Sequence, residues 1–258
     1  MNKFIVFNFK MTPSSLAKAK EIFRIFKKFS QKVKPNKIII APPYVYLTEA
    51  SNVFEKEYSL GAQDVFWFNR NSATGGISPK MLKSLSVEYV IIGHSERREY
   101  FNETNEIINS KIKACISNNL TPILCIGENN RKKGDSSSSF RIKKILFEQL
   151  NYALRGVILK SSSDLIITYE PVWAVGADKS EDLEEAQKVI NLIRFWLARR
   201  FSEKIAENMH ILYGGSINSQ NIIPFLSLKE INGVLVGRAS TNKTELTRLF
   251  KKLAIRLG

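Results

Sequence analysis

The sequence predicts an α/β fold, a single-domain (β/α)8 barrel of parallel strands over residues 1–258, and three observations carry that expectation. Eight short runs rich in β-branched and apolar residues recur along the chain. Segments with helical periodicity lie between them, and strand-then-helix alternation implies parallel pairing through right-handed crossovers. A chain of 258 residues is also the size expected of eight such units.

The first run is Phe4 to Phe7, ended by Asn8, and Ala17 to Phe29 follows as a helix with Lys20, Arg24, Lys27 and Lys28 on its solvated face. Lys37 to Ala41, Ser59 to Ala62 and Tyr89 to Ile92 read as the next three strands. The helix Asn105 to Ser117 leads to the fifth strand, Thr121 to Ile126. The polar, repetitive stretch from Lys132 to Ser139 reads as a surface loop before the helix Ile142 to Leu154, and Ser161 to Ser163 as a linker. After the sixth strand, Leu165 to Tyr169, a helix over Glu181 to Phe201 is expected, with Ser180 as its N-cap and Glu181, Asp182, Glu184 and Glu185 at the positive end of its dipole. His210 to Tyr213 and Gly233 to Val236 complete the strands. Asn242 with Glu245 reads as a capping box for the last helix, Leu246 to Leu257, whose Arg248, Lys251, Lys252 and Arg256 face water. An open doubly wound sheet is the alternative; no GxGxxG follows the first strand, and the Gly-rich and polar signals are spread over many strand ends.

The composition narrows the function classes. The chain is 44% hydrophobic, enough for a large core, and no apolar run reaches membrane-spanning length. Phe4 to Phe9 is broken by Asn8 and lacks a small-residue cleavage pattern, so a soluble, cytoplasmic protein is expected. Cys115 and Cys125 have no metal-ligand spacing and read as reduced packing thiols. The net charge of +15 favours anionic partners, but no nucleic-acid-binding module is visible, so the charge reads as steering for small anions or as composition bias.

In a barrel of this kind the working residues stand at the C-terminal ends of strands. Glu170 stands there after the sixth strand, since Pro171 cannot continue the ladder, and the apolar Val172, Trp173 and Val175 make a loop suited to closing over something small and drying the carboxylate. Asn8 and Lys10 follow the first strand, His94 to Arg98 the fourth, Gly214, Gly215 and Ser216 the seventh, and Gly237 and Arg238 the eighth. Singly, each has an ordinary explanation as a solvated pair, a strand-end histidine, a helix start or a turn. Their convergence on one rim does not.

The chain resembles the triosephosphate isomerase family over nearly its whole length. The resemblance rests on Asn8-Phe9-Lys10, Gly93-His94-Ser95-Glu96-Arg97, Cys125-Ile126-Gly127-Glu128, Tyr169 to Gly176, Tyr213-Gly214-Gly215-Ser216 and Leu235-Val236-Gly237, all in the family's order. It implies interconversion of dihydroxyacetone phosphate and D-glyceraldehyde 3-phosphate through an enediolate, in glycolysis and gluconeogenesis, without metal or cofactor. By the same resemblance Glu170 is the base and His94 a neutral electrophile, an assignment for which this family is a standard case of acid/base tuning. Lys10 supplies a cation, Asn8 positions substrate and lysine, and Glu96, buried beside the site, supports Lys10. The N–H groups of Gly176, Ser216, Gly237 and Arg238 hold the phosphate. Pro171, Val172, Trp173, Ala174, Val175, Gly176, Ala177, Asp178, Lys179 and Ser180 form the lid. A homodimer is implied, with Thr74, Gly75, Gly76 and Arg97 at its interface. His210 reads as structural. Ribulose-phosphate epimerase-like barrels and a non-catalytic, nucleic-acid-binding barrel are the competing readings.

Three positions depart from the family's pattern. Arg238 stands where a second glycine is usual, and a φ below zero would leave only its N–H at the phosphate with the side chain outward. Asp178 and Glu181 replace smaller residues at the far hinge, which implies altered lid opening. Gly76 replaces a glutamate, which implies an Arg97 without its intersubunit carboxylate and a weaker dimer.

Overall fold

The computed structural model describes residues 3–33, 37–54, 57–68, 73–129, 138–175 and 182–257. Eight strands, β1 (Phe4–Asn8), β2 (Lys37–Ala41), β3 (Ser59–Ala62), β4 (Val87–Ile92), β5 (Thr121–Ile126), β6 (Ile166–Tyr169), β7 (His210–Tyr213) and β8 (Gly233–Val236), close in sequence order into a barrel. Every pairing is parallel, including the closing one, where Phe4 to Phe7 lie against Gly233 to Val236. The open doubly wound alternative is thereby excluded.

The inside of the barrel is a small apolar cluster, with Val6, Ile39, Ile91, Ile123, Cys125, Ile166, Leu212 and Leu235 among its buried members. Each fully buried aliphatic side chain of this kind contributes roughly 1.5–3 kcal/mol. β3 offers Gly61 here, because a Cβ on it would lie only 3.0 Å from Ile39 Cγ2. The outward faces of the strands meet the helices in a larger cluster. Those helices are α1 (Leu16–Phe29), α2 (Leu47–Phe54), α3 (Pro79–Ser84), α4 (Ser95–Tyr100), α5 (Asn105–Ser117), α6 (Ser138–Ala153), α7 (Leu183–Arg200), α8 (Glu203–Asn208), α9 (Ile222–Ser227) and α10 (Lys243–Leu257). Among the described residues no helix is long and apolar enough to cross a membrane. Both cysteines are buried and free, and burial pushes both thiols up.

Several local expectations need correction. The N-cap of α7 is Asp182, whose side chain accepts from Glu184 N; Ser180 and Glu181 lie outside the described residues. The Asn242 box is only half formed. Asn242 Oδ1 accepts from Glu245 N at 3.0 Å, but the Glu245 carboxylate accepts from Ser219 N, tying α10 to the loop after β7. Ser161 is the cap of a 3-10 turn, Ser162–Asp164, closed by a reciprocal capping box with Asp164. Of the polar stretch 132–139, the last two residues belong to α6 and the others fall outside the described residues. β4 begins two residues early, at Val87, because the exposed Glu88 breaks an apolar run without breaking the ladder.

Candidate active site

The C-terminal rim holds a cavity of about 450 Å3 lined by Lys10, His94, Glu96, Glu170, Val175, Ser216, Gly237 and Arg238 among others. Five different strand ends feed it.

Lys10 reaches the cavity through an unusual backbone. Its φ is +52°, a left-handed conformation that costs a non-glycine residue on the order of 1–3 kcal/mol. Two side chains hold it there. Asn8 Oδ1 accepts the Lys10 N–H at 3.0 Å, and Gln63 Nε2 donates to Lys10 O and Ala41 O, both at 2.9 Å. The Lys10 ammonium pairs with Glu96 Oε1 at 2.7 Å. It also lies against Gly237, where a Cβ would come within 3.2 Å of Lys10 Cε.

At the end of β4, Gly93 turns the chain with φ +72°, and His94 becomes the N-cap of α4. Its Nδ1 accepts from Glu96 N at 3.2 Å, which requires that nitrogen to be bare and leaves the proton on Nε2. Nε2 thus faces the cavity as the donor nitrogen. Glu170, 2% exposed, is its neighbour: Nε2 and Glu170 Oε1 are 2.9 Å apart, yet Oε1 receives no well-directed hydrogen bond. The other oxygen, Oε2, accepts from Ser95 N at 3.0 Å. Burial raises the carboxyl's proton affinity, but His94, the Ser95 N–H and Lys10 together outweigh it and hold Glu170 below the usual carboxylate range.

The loop after β6 starts as expected and is fastened by a residue whose role the sequence left unassigned. Val172–Ala174 is a 3-10 turn. The fully buried Glu128 accepts from Tyr169 Oη at 3.1 Å and from Trp173 Nε1 at 3.2 Å, so the near hinge is anchored to the end of β5. Trp173 remains 37% exposed. Gly176, Ala177, Asp178, Lys179, Ser180 and Glu181 lie outside the described residues.

Opposite the carboxylate, Ser216 has φ +41° and Gly237 caps a 3-10 turn, Arg238–Ser240. Arg238 is not among the residues with positive φ; it is exposed and lines the cavity. Asn8 is buried and works through Lys10. The Glu96 side chain is 36% exposed in the single chain, a correction to its expected burial, while its pairing with Lys10 agrees with a supporting part. His210 opens β7 with its ring 4.4 Å from that of Phe4, away from the cavity.

Arg97 has carboxylate partners inside its own chain, beside the intersubunit carboxylate that Gly76 does not supply. Its guanidinium pairs within the chain with Asp64 at 2.7 Å and Glu103 at 2.5 Å, and the buried Lys111 ammonium completes a cluster of two cations and two carboxylates. Thr74 and Gly75 are exposed, and a Cβ on Gly76 would lie 3.2 Å from the Phe66 ring. Ser95, Gln63 and Glu128 are the contributors that sequence reasoning missed. Ser95 and Glu128 stood in recognisable motifs and Gln63 in none; Ser95 acts through its backbone.

The family model of triosephosphate isomerase matches residues 3–253. The chain belongs to the triosephosphate isomerase family. Among similar proteins, the triosephosphate isomerase of Dictyoglomus turgidum is 41% identical over 241 residues, covering 92% of this chain and 94% of that one. That of Dictyoglomus thermophilum is 39% identical over 250 residues, covering 96% and 98%. That of Mycoplasmoides gallisepticum is 37% identical over 252 residues, covering 97% and 98%. With triosephosphate isomerases matched at nearly full length, the rim is that of an enzyme family, and the residues on its cavity wall are the ones to which a mechanism must be assigned.

Proposed function

We propose that this chain interconverts dihydroxyacetone phosphate and D-glyceraldehyde 3-phosphate, the isomerisation that serves glycolysis and gluconeogenesis. The observation that carries the reading is the meeting of an ionised, water-excluded carboxylate with a neutral imidazole donor and an ammonium on one cavity wall. Moving a proton between adjacent carbons requires a base that can reach both. Glu170 has one oxygen without a well-directed hydrogen bond and one on the Ser95 N–H, so it is retained but not locked. Giving up the Ser95 contact frees it to take the proton.

As the proton leaves, charge develops on the carbonyl oxygen. The His94 Nε2–H donates to the enediolate oxygens without having to become a cation first, and Lys10 opposes the charge. Glu96 orients Lys10, and Asn8 and Gln63 fix the backbone that carries it. The phosphate is held by backbone N–H groups at Ser216, Gly237, Arg238 and, from the lid, Gly176. The lid 171–180 closes over the base and dries it.

A homodimer and a cytoplasmic location go with this reading. Support for the dimer comes from exposed apolar side chains in the segments after β1, β2 and β4: Met11 at 93%, Val45 at 79% and Phe101 at 64% exposure. With Thr74, Gly75, Gly76 and Arg97 they form the proposed contact face.

Proton NMR of the purified chain with dihydroxyacetone phosphate in D2O tests the function. Appearance of glyceraldehyde 3-phosphate carrying solvent deuterium beside its carbonyl is the expected result. No interconversion at any substrate concentration would sink the reading.

A further inference from the structure

The loop after β7 carries a second left-handed residue of the substrate cavity's wall. Ser216 has φ +41°, as Lys10 has φ +52°, and a non-glycine residue keeps that conformation where its surroundings hold it. For Lys10 the holding groups are the side-chain amides of Asn8 and Gln63. The loop 216–221 contains an amide placed in the same way.

Asn221, at the start of α9, turns its side chain back into the loop. Its Nδ2 donates to Ser216 O at 3.0 Å, and its Oδ1 accepts from Asn218 N at 2.9 Å. The partners assign the two ends, since the reversed amide would set N–H against N–H and oxygen against oxygen. One side chain thus spans the two peptide groups that flank the buried Ile217. Upstream, Gly214 N donates to Tyr169 O at 2.8 Å and fixes the chain to the end of β6. Downstream, Ser219 N donates to Glu245 Oε1 at 2.6 Å and ties the loop to α10. Ser216 and Asn218 line the cavity and Asn221 does not, so Asn221 acts on a ligand through the backbone it holds.

We propose that Asn221 is a positioning residue for the substrate phosphate, its amide holding the left-handed Ser216 so that the Ser216 N–H stays aimed at the anion. The inference rests on the isomerase reading, in which that N–H is a phosphate donor. Without the amide, the peptide between Ser216 and Ile217 is free to turn and φ at Ser216 relaxes below zero, which ends the fixed aim of the N–H. Ordering the donor then has to be met from the binding energy. The phosphate is remote from the reacting carbons, so the loss appears in binding before it appears in the chemical step.

Inorganic phosphate is the probe, and calorimetric titration reads its affinity without consulting activity. Asn221→Ala should weaken phosphate binding about tenfold and raise KM for dihydroxyacetone phosphate by about the same factor, with kcat within about twofold of the parent's. Asn221→Ser keeps a residue suited to a helix start but is too short to span both peptides; it should behave alike, and it carries the test if circular dichroism shows the alanine variant unfolded. A folded variant with the parent's phosphate affinity and KM would overturn the proposal. So would a fall in kcat with phosphate affinity unmoved, the mark of a merely structural residue. If the parent isomerises and the variants bind phosphate as it does, this inference alone is lost. A chain whose phosphate affinity depends on Asn221 but which does not isomerise would remove the proposed function and leave the positioning of the anion standing.

Discussion

Glu170 is a carboxylate under opposing pressures, and the balance sets a pH dependence. Burial favours its protonated form, but His94, Ser95 N–H and Lys10 favour the ion more, so the folded-state carboxyl titrates below its ordinary 4.5. A depressed carboxyl contributes stability in full above the unfolded value and loses it as pH falls through the folded one. The base thus stays ionised through the neutral range. The enzyme-side acid limb of kcat/KM, corrected for the substrate phosphate with its second ionisation near about 6, should therefore lie below 4.5; an enzyme limb at or above neutrality would show the balance to be the reverse. Arg238 gives a second test at this scale. An exposed side chain near a phosphate is worth little, so Arg238→Gly should raise KM by less than about fivefold with kcat unchanged. A larger rise would mean that the guanidinium binds phosphate. Glu170, His94 and Lys10 were legible in the sequence because their side chains act and their spacing is retained. Ser95 was not, since its contribution is a backbone N–H that any residue but proline would supply, and neither was Gln63, which acts on the Lys10 carbonyl from the end of β3, two strands away from β1.

Elements bring these groups together, and the close approach of β5's end to β6's end is the tightest of those contacts. Gly127 faces the Glu170 backbone so closely that a Cβ would sit 1.8 Å from its carbonyl oxygen. Gly127→Ala must push the base away or deform the loop, with a cost of about 1–3 kcal/mol or more. Thermal unfolding should shift down and kcat/KM should fall together; an unchanged melting temperature with full activity would contradict the packing. At the far side of the lid, Asp182→Ala removes the α7 cap and should cost about 1 kcal/mol, read as a lowered denaturant midpoint. The eight strands were legible from periodicity to within two residues at either end, because both faces are buried and the runs are continuously apolar. The short helices α2, α3, α8 and α9 were not, each having eight residues or fewer in which to declare a period. The N-cap of α7 was misplaced because Ser180 and Asp182 both suit a cap, and only the packing of α7 chooses the later one.

Across the whole molecule, the net charge of +15 and the apolar rim point in different directions. The charges lie mostly on outer helix faces, whereas Met11, Val45 and Phe101 are exposed in the segments that follow β1, β2 and β4. Sedimentation at micromolar concentration should give a dimer of two chains, and a fully active monomer there would refute the contact face. Within the chain Asp64 and Glu103 reach Arg97, so Gly76 bears on that guanidinium only through the carboxylate it does not offer to a second subunit. No local pattern in the sequence announces a contact between residues so placed. The same long-range closure gives Glu170 its neighbours, and the central claim is that this one carboxylate moves the proton. Steady-state isomerisation by the parent and by Glu170→Gln, an isosteric change that keeps the contacts and removes the base, tests it most directly. The account predicts a loss of kcat by about 10²–10⁴-fold with KM nearly unchanged; a variant that retains the parent's kcat would contradict it.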